Sequence, residues 1–381
     1  MLTKENFTKE HIDSLRQTTG ADPSILERTV YAFGLLEAIA KTGMPFVFKG
    51  GTSLMLLLEE PRRLSTDIDI IVEPEVDVDE YIREAGKIFP FTGVEEDERK
   101  GKSDIVKRHF RFVFNSPRID KEFNILLDVV FEHCPYTAVV SRPIRSSLLL
   151  SEGDDLSVII PEKNCILGDK LTAFAPHTTG IKFGEGKELE IIKQMFDCYT
   201  LIQEIDNYSR VRDTYNEIAK IELGYRGLNI DVDKVLRDTI NSCICIMGRG
   251  ALRLDEYKYY QEGIGSIRGH VFKGKVNGEN APFMACEIMY LAACLLTGQE
   301  FERTTDSNEY INKKFDIKGI KRINYIRNVD LYAYSYLVKA LDLLQSIGLY
   351  RNNLNDDDLD IDIVAEQVLN KNINAFKELA K

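Results

Sequence analysis

The stretch Lys49–Val72, KGGTSLMLLLEEPRRLSTDIDIIV, constrains the chain more than any other. It reads as a strand end, a glycine turn, a short helix, a charged loop, and then a strand, Asp67–Val72, that opens with Asp67 and Asp69. Alternate side chains of a strand share a face, so both carboxylates point one way while Ile68 and Ile70 point the other. Asp is disfavoured in strands, and two on one face repel unless something positive lies between them. A divalent cation meets that need, because Mg²⁺ takes few carboxylates and completes its shell with water and phosphate oxygens. Gly50 and Gly51 let the backbone approach a ligand closely, and the helix start at Thr52–Ser53 offers N–H groups to an anion. Cation ligands and an anion cradle within one supersecondary unit point to a nucleoside triphosphate site.

The flanking text places this unit in a mixed α/β half. Asp22-Pro23-Ser24 caps a helix, Ile25 to Lys41, with Leu26, Val30, Phe33, Leu36 and Ile39 at helical spacing. Phe46–Phe48 is a short buried strand leading to Gly50. His109–Asn115 alternates with period two, and FNILLDVVF, Phe123–Phe131, is an apolar strand interrupted by Asp128 alone. A lone carboxylate there is costly to bury unless paired or bound to a cation, which makes Asp128 a third site member; the alternative is an edge-strand Asp facing solvent. Three carboxylates on neighbouring strands suffice for two metal ions, one activating an attacking hydroxyl and one holding a triphosphate. Asn164–Ala175 and Lys187–Ile205 read as helices, the first carrying Lys170 and the second Lys193 and Asp197. From about Tyr208 onward the periodicity is mostly helical. The expected plan is therefore an α+β domain over residues 1–205 and a mainly helical domain over 206–381.

Bulk properties exclude several classes. No apolar run is long enough to span a bilayer, and the polar start MLTKENFTKEHIDSLRQ lacks the hydrophobic core of a signal peptide. The 7 cysteines are scattered without CxxC spacing, which fits a reducing cytoplasm and argues against structural zinc. A net charge of −12 disfavours indiscriminate nucleic-acid binding but leaves room for local basic patches. GxxxxGK[ST] and GxGxxG are both absent, which sets aside a P-loop and a Rossmann dinucleotide site. His109, His133, His177 and Cys198 have no partner pattern in the sequence, so a hydrolase built on a nucleophile and its base lacks parts. Lys49, Arg62 and Arg63 read either as plain surface charges or as phosphate contacts. The stem of Lys170 covers core in the bland reading, and Lys193 and Asp197 form an ordinary i, i+4 ion pair.

Taken together, KGGTSL, RLSTDIDI, LLDVV, GDKLTAF and IIKQMFDCY resemble the nucleotidyltransferase toxins of the AbiEii/AbiGii kind. These are the toxin halves of type IV toxin–antitoxin and phage abortive-infection systems, within the DNA polymerase β-like nucleotidyltransferase superfamily. The resemblance covers roughly residues 25–205. It implies a polymerase β-like mixed sheet with flanking helices, an NTP substrate, Mg²⁺, and a cognate antitoxin. By the same resemblance Gly50, Gly51 and Thr52, with Ser53 and Lys49 beside them, cradle the triphosphate. Arg63, Ser65, Asp67 and Asp69 match the next motif, whose two aspartates are metal ligands. Asp128 fits the third carboxylate of the wider superfamily. Lys170 with Ala173, and Lys193 with Asp197, match the later motifs; His177, Glu190 and Gln194 stand where the family carries an arginine, an arginine and an aspartate.

The expected activity is metal-assisted transfer of a nucleoside monophosphate to RNA, with the tRNA 3′ end as the acceptor that related toxins use. Asp128 would orient or deprotonate the acceptor, and Lys170 and Lys193 would stabilise phosphate charge. Two alternatives use the same residues: nucleotidylation of a protein hydroxyl, and GTP binding without turnover by a regulatory protein. Two basic stretches are candidate RNA contacts, NKKFDIKGIKRINYIR at Asn312–Arg327 and the cluster Lys100–Arg111.

Overall fold

The computed structural model describes residues 1–97, 106–251, 253–315 and 321–350. It divides into two compact units, Met1–Ile166 together with Arg268–Lys275, and Leu167–Ile267 together with Val276–Lys381. By packing, the division thus falls at Ile166/Leu167, ahead of the 205/206 boundary expected from periodicity. The reason is that the helices carrying Lys170 and Lys193 bury their apolar faces among other helices.

The first unit is a seven-stranded mixed sheet with helices. Its elements are α1 (Lys9–Thr19), α2 (Pro23–Lys41), β1 (Val47–Lys49), α3 (Gly50–Leu57), β2 (Ile68–Val72), α4 (Asp79–Ala85), β3 (Gly93–Glu96), β4 (Lys107–Ser116), β5 (Lys121–Phe131), β6 (Val139–Pro143) and β7 (Ser157–Pro161). The strand order is β3-β4-β5-β2-β1-β7-β6. β2 runs parallel to β5 and β1 parallel to β7, and the other neighbours are antiparallel.

Helix α2 begins where expected. Asp22 accepts from the N–H groups of Ser24 and Ile25, and Pro23 opens the first turn with its ring already at a helical φ. The helix ends at Thr42, followed by Gly43 at φ +77. Its apolar residues Leu26, Val30, Phe33 and Leu36 join Phe48, Ile68, Ile70, Val72, Phe110, Phe112, Phe114, Ile125, Leu127 and Val129 in one buried cluster. Tyr31 stacks on Phe114 at 3.8 Å between ring centroids. Burying each large side chain of this set contributes about 1.5–3 kcal/mol. Period-two alternation then leaves the odd-numbered residues of β4 and the even-numbered ones of β5 on the sheet's other face.

Three local differences from expectation have simple causes. The strand holding the acidic pair starts at Ile68, so Asp67 precedes it. The glycine pair is already the first turn of α3, because Gly50 adopts φ +80 and so turns the chain directly from strand into helix. β6, an edge strand with mostly exposed residues, carries no apolar alternation for a sequence reading to find.

The second unit is helical. α5 (Lys163–Ala173) begins in the first unit and ends here, followed by α6 (Glu188–Ile202), α7 (Tyr208–Tyr225), α8 (Val232–Met247), α9 (Leu254–Ser266), α10 (Ala281–Thr297), α11 (Ile326–Val329) and α12 (Leu331–Ser346). α10 is apolar on nearly every side and buried from Ala281 to Cys294 except at Phe283, which makes it the hub of the helical core. It stops at Gly298, whose φ of +71 supplies the left-handed C-terminal residue. No helix among the described residues is long and apolar enough to cross a membrane.

Candidate active site

In the first unit, strand register assembles the site. Lys49 on β1 lies opposite Asp69 on β2, Asp69 opposite Asp128 on β5, and Asp128 opposite His109 on β4. Directly paired residues of neighbouring strands project from the same face. Lys49, Asp69, Asp128 and His109 therefore form one transverse row of alternating charge and polarity. The residues flanking Asp69 and Asp128 in sequence, Ile68, Ile70, Leu127 and Val129, go into the core on the opposite face.

Each end of the Lys49–Val72 stretch is fitted to the other. A Cβ on Gly50 would fall within the Asp69 carboxylate, so the absence of a side chain is what lets α3 start against that carboxylate. A Cβ on Gly51 would stand 2.5 Å from Nη2 of Arg63 and 2.9 Å from Oγ of Ser65. Arg63 is buried and donates from Nη1 to the Leu64 carbonyl at 3.1 Å. The Thr52 hydroxyl donates to the Asp67 carbonyl at 2.6 Å, and the Ser53 hydroxyl donates to the Gly50 carbonyl at 2.8 Å. These two hydroxyls, expected at the triphosphate, thus fasten the loop internally; what the α3 N-terminus offers an anion is its first-turn N–H groups, which have no acceptor within the helix. Thr66 Oγ1 lies 3.4 Å from Asp67 Oδ1.

Asp128 accepts from His109, with Nδ1 and Oδ1 2.7 Å apart and side chains 19% and 33% exposed. That contact answers what holds a lone carboxylate in an apolar strand: a cross-strand imidazole. The signal was present in the sequence only as a period-two strand ahead of FNILLDVVF, and the register needed to align the two residues was not. His133 likewise meets Glu73, at 2.6 Å on the surface.

Among the described residues no group of three or more His, Cys, Asp or Glu side chains is arranged to hold a metal ion. Of the expected trio Asp67, Asp69 and Asp128, the third lies opposite Asp69 and is bonded to His109. A pair still suits Mg²⁺, which binds through one or two carboxylates plus substrate phosphates rather than in an all-protein cage. The hard oxygen donors of Asp67 and Asp69, beside the cradle at Gly50, fit that ion.

The remaining expected site residues, Lys170, Lys193 and Asp197, belong to the second unit, where they form a network of their own. Lys170 on α5 meets Asp197 Oδ2 at 3.1 Å and donates to Gln194 Oε1 at 2.9 Å, both partners on α6. Lys193 pairs with Glu190 at 2.8 Å, not with Asp197 as the i, i+4 spacing suggested. An acid placed N-terminal to its base is the favourable order on a helix, and Asp197 is turned inward to Lys170. Two positions that depart from the family pattern, Glu190 and Gln194, are thus the partners of Lys193 and Lys170. The third, His177, has Nε2 3.1 Å from Glu256 Oε1, and its backbone N–H donates to Asp238 at 2.8 Å.

Several of the described cations in the two basic stretches are paired, while Lys107 and Lys314 are exposed. Residues 100–105 and 316–320 lie outside the described residues. On β4, Arg108 is held by Glu96 and Asp79, and Arg111 lies 3.7 Å from Glu95. Lys313 pairs with Asp342 at 3.0 Å, and Arg327 donates to the Ile311 carbonyl at 3.4 Å.

The family model described as "Nucleotidyl transferase AbiEii toxin, Type IV TA system" matches residues 35–246, more than half of the chain. Among solved structures, JHP933 from Helicobacter pylori is similar at 14% identity and a TM-score of 0.39, covering 71% of this chain and 93% of its own. A proposed nucleotidyltransferase from Helicobacter pylori is similar at 15% identity and a TM-score of 0.41, covering 72% of this chain and 99% of its own. No curated protein sequence matches.

Proposed function

Since the chain belongs to the AbiEii nucleotidyltransferase toxin family of type IV toxin–antitoxin systems, we propose that it transfers a nucleoside monophosphate from an NTP to an RNA hydroxyl, with the tRNA 3′ end as acceptor. The family makes it a nucleotidyltransferase and implies an NTP substrate and a cognate antitoxin; the acceptor and the Mg²⁺ dependence are the proposal. The observation that carries it is the register row Lys49–Asp69–Asp128, set against a glycine pair that has no room for side chains.

Mg²⁺ bound by Asp67 and Asp69 would neutralise charge on the triphosphate and on the departing pyrophosphate. The first-turn N–H groups of α3 receive phosphate oxygens, and Gly50 and Gly51 allow that approach. An acceptor hydroxyl attacks the α-phosphorus; its oxygen forms the new P–O bond as the bond from phosphorus to the bridging oxygen breaks. Pyrophosphate leaves with the electron pair, and the hydroxyl proton passes to the Asp128 carboxylate. His109 holds that carboxylate in place, which gives a proton acceptor a fixed orientation.

The test is to incubate the protein with each α-labelled NTP, Mg²⁺, total RNA and cell protein, then to separate the products. Label on RNA, mapped to tRNA 3′ ends, is the expected result. Label on protein alone would replace RNA with a protein hydroxyl as acceptor, and nucleotide binding without label would reduce the chain to a binder. Asp67→Ala is expected to abolish transfer with an unchanged circular dichroism spectrum; retained activity would remove the assigned site.

A further inference from the structure

The segment Arg268–Lys275, RGHVFKGK, lies between α9 and α10 in sequence yet belongs to the first compact unit. It is clamped to the loop that leads into the acidic pair. The Leu64 N–H donates to the His270 carbonyl at 2.7 Å, and the N–H groups of Phe272 and Lys273 donate to the Arg62 carbonyl at 3.1 and 3.2 Å. Arg63 and Val271 form an antiparallel bridge. Phe272 packs on the sheet's core cluster, and Gly269 sits against the start of α2 beside Ile25. A short segment with backbone bonds on one side and an anchored aromatic on the other is a rigid strap.

Its outward side is basic. Arg268, Lys273 and Lys275 are exposed, Arg62 is half-exposed beside them, and the segment contains no acidic residue in a chain of net charge −12. Lys273 meets Glu60 at 3.0 Å, with side chains 48% and 73% exposed. An ion pair that open to water is weak and exchanges readily for a phosphate. Position is the second argument. Leu64 precedes Asp67 by three positions, and three residues span at most about 11 Å. Phosphates recur about every 3.4 Å along a stacked strand. An acceptor strand ending at Asp67 and Asp69 therefore has several phosphates within reach of the strap.

We propose that the Arg268–Lys275 strap, with Arg62, is the docking surface for the phosphate backbone of the RNA acceptor, placed to feed its terminal hydroxyl toward the acidic pair. The inference rests on the RNA reading above and deepens it by naming where the acceptor is held. It also explains why a helical sequence segment is spent on the nucleotide-binding unit: a backbone-clamped row of cations is preorganised, so little ordering cost remains when RNA docks.

The test compares wild type, R268A/K273A/K275A and the charge-retaining R268K/K273R/K275R in the full-length protein. The alanine variant is expected to raise KM for RNA at least about tenfold at moderate salt and to lower the slope of log K for RNA against log salt by about 2, as three lost phosphate contacts on a single strand require. KM for NTP is expected to hold, the charge-retaining variant to recover RNA affinity, and the control R83A/K87A/K121A to match wild type. The advantage of a full RNA over a dinucleotide acceptor should shrink in the alanine variant. If wild type labels RNA but KM for RNA and the salt slope are unmoved in the alanine variant, the strap assignment is overturned while the activity stands. A rise in KM for NTP alone would hand these cations to the nucleotide and overturn it equally. If wild type labels no RNA at all, it is the underlying reading that fails.

Discussion

At the residue scale, the site depends on what is missing at Gly50 as much as on what is present at Asp67, Asp69 and Asp128. A methyl group at Gly50 collides with the Asp69 carboxylate, and the φ of +80 is itself unfavourable for any side chain. Gly50→Ala is expected to cost about 1–2 kcal/mol of stability through the backbone alone. It should also lower the transfer rate about a hundredfold by displacing, on the order of an ångström, the carboxylate proposed to bind the metal. Urea unfolding and single-turnover labelling measure the two effects separately. A variant with wild-type turnover would show that the carboxylate has no fixed place in the reaction. The glycines, the acidic pair and Asp128 were all legible from residue type and spacing. His109 was not, because its partner is nineteen positions away along the chain and adjacent only once β4 and β5 pair in their observed register.

At the scale of elements, the α5–α6 pair has a plain physical requirement. Lys170 and Asp197 are both buried, with side chains 8% and 3% exposed, so each is the other's compensating charge. Removing one partner of such a pair leaves an uncompensated buried ion, which costs about 3–5 kcal/mol. Asp197→Ala is therefore expected to destabilise the protein by that amount, whereas Glu84→Ala, which breaks a pair with Lys87 whose side chains are 46% and 63% exposed, should cost under about 1 kcal/mol. Denaturant titration of both variants checks the contrast. Equal losses would mean that Lys170 finds another partner. The sequence placed these residues on two helices with Lys170 on the first, but helical spacing suggested that Asp197 would answer Lys193. The choice was made by packing: α6 turns Asp197 and Gln194 toward α5 and leaves Glu190 as the acid that reaches Lys193.

At the scale of the whole molecule, the helical unit carries several groups whose charge state is tied to folding. Burial pushes the Asp238 carboxyl up to about 6, against the charge of His177 and the hydrogen bonds from Thr178 and His177 that lower it. Burial likewise pushes Glu287 up to about 7, with a hydrogen bond from Gln203 and the charge of Arg303 opposing. His177 is raised: burial lowers it, but the bond to Glu256 and the charges of Asp238 and Glu256 outweigh that. A group whose pKa is raised on folding holds its proton more tightly in the native state, so stability falls as pH rises through the native value. For all three the sign is the same. Their stabilisation is in full present only below their unfolded pKa values, near 4 for Asp238 and Glu287 and 6.5 for His177, and is lost on going up through about 6, about 7 and the raised His177 value. The protein is expected to melt at a higher temperature at pH 5.5 than at pH 8, and D238N/E287Q should flatten most of that difference. An unchanged difference in the double variant would place the titrating groups elsewhere.

What the sequence determined by itself was everything carried by neighbours along the chain: the acidic pair, the glycine turn, the capped α2, the apolar strand around Asp128, and the helical character beyond Tyr208. Residue type, period and spacing encode these directly, and they were enough to point to the family. What only the tertiary structure decided was pairing between distant segments. Strand register set His109 on Asp128, helix packing gave Asp197 to Lys170, and a strap from between two late helices came to lie beside Arg62–Leu64. None of these has a local signature, because the energy that selects them comes from burying faces and closing hydrogen bonds between elements far apart in the chain.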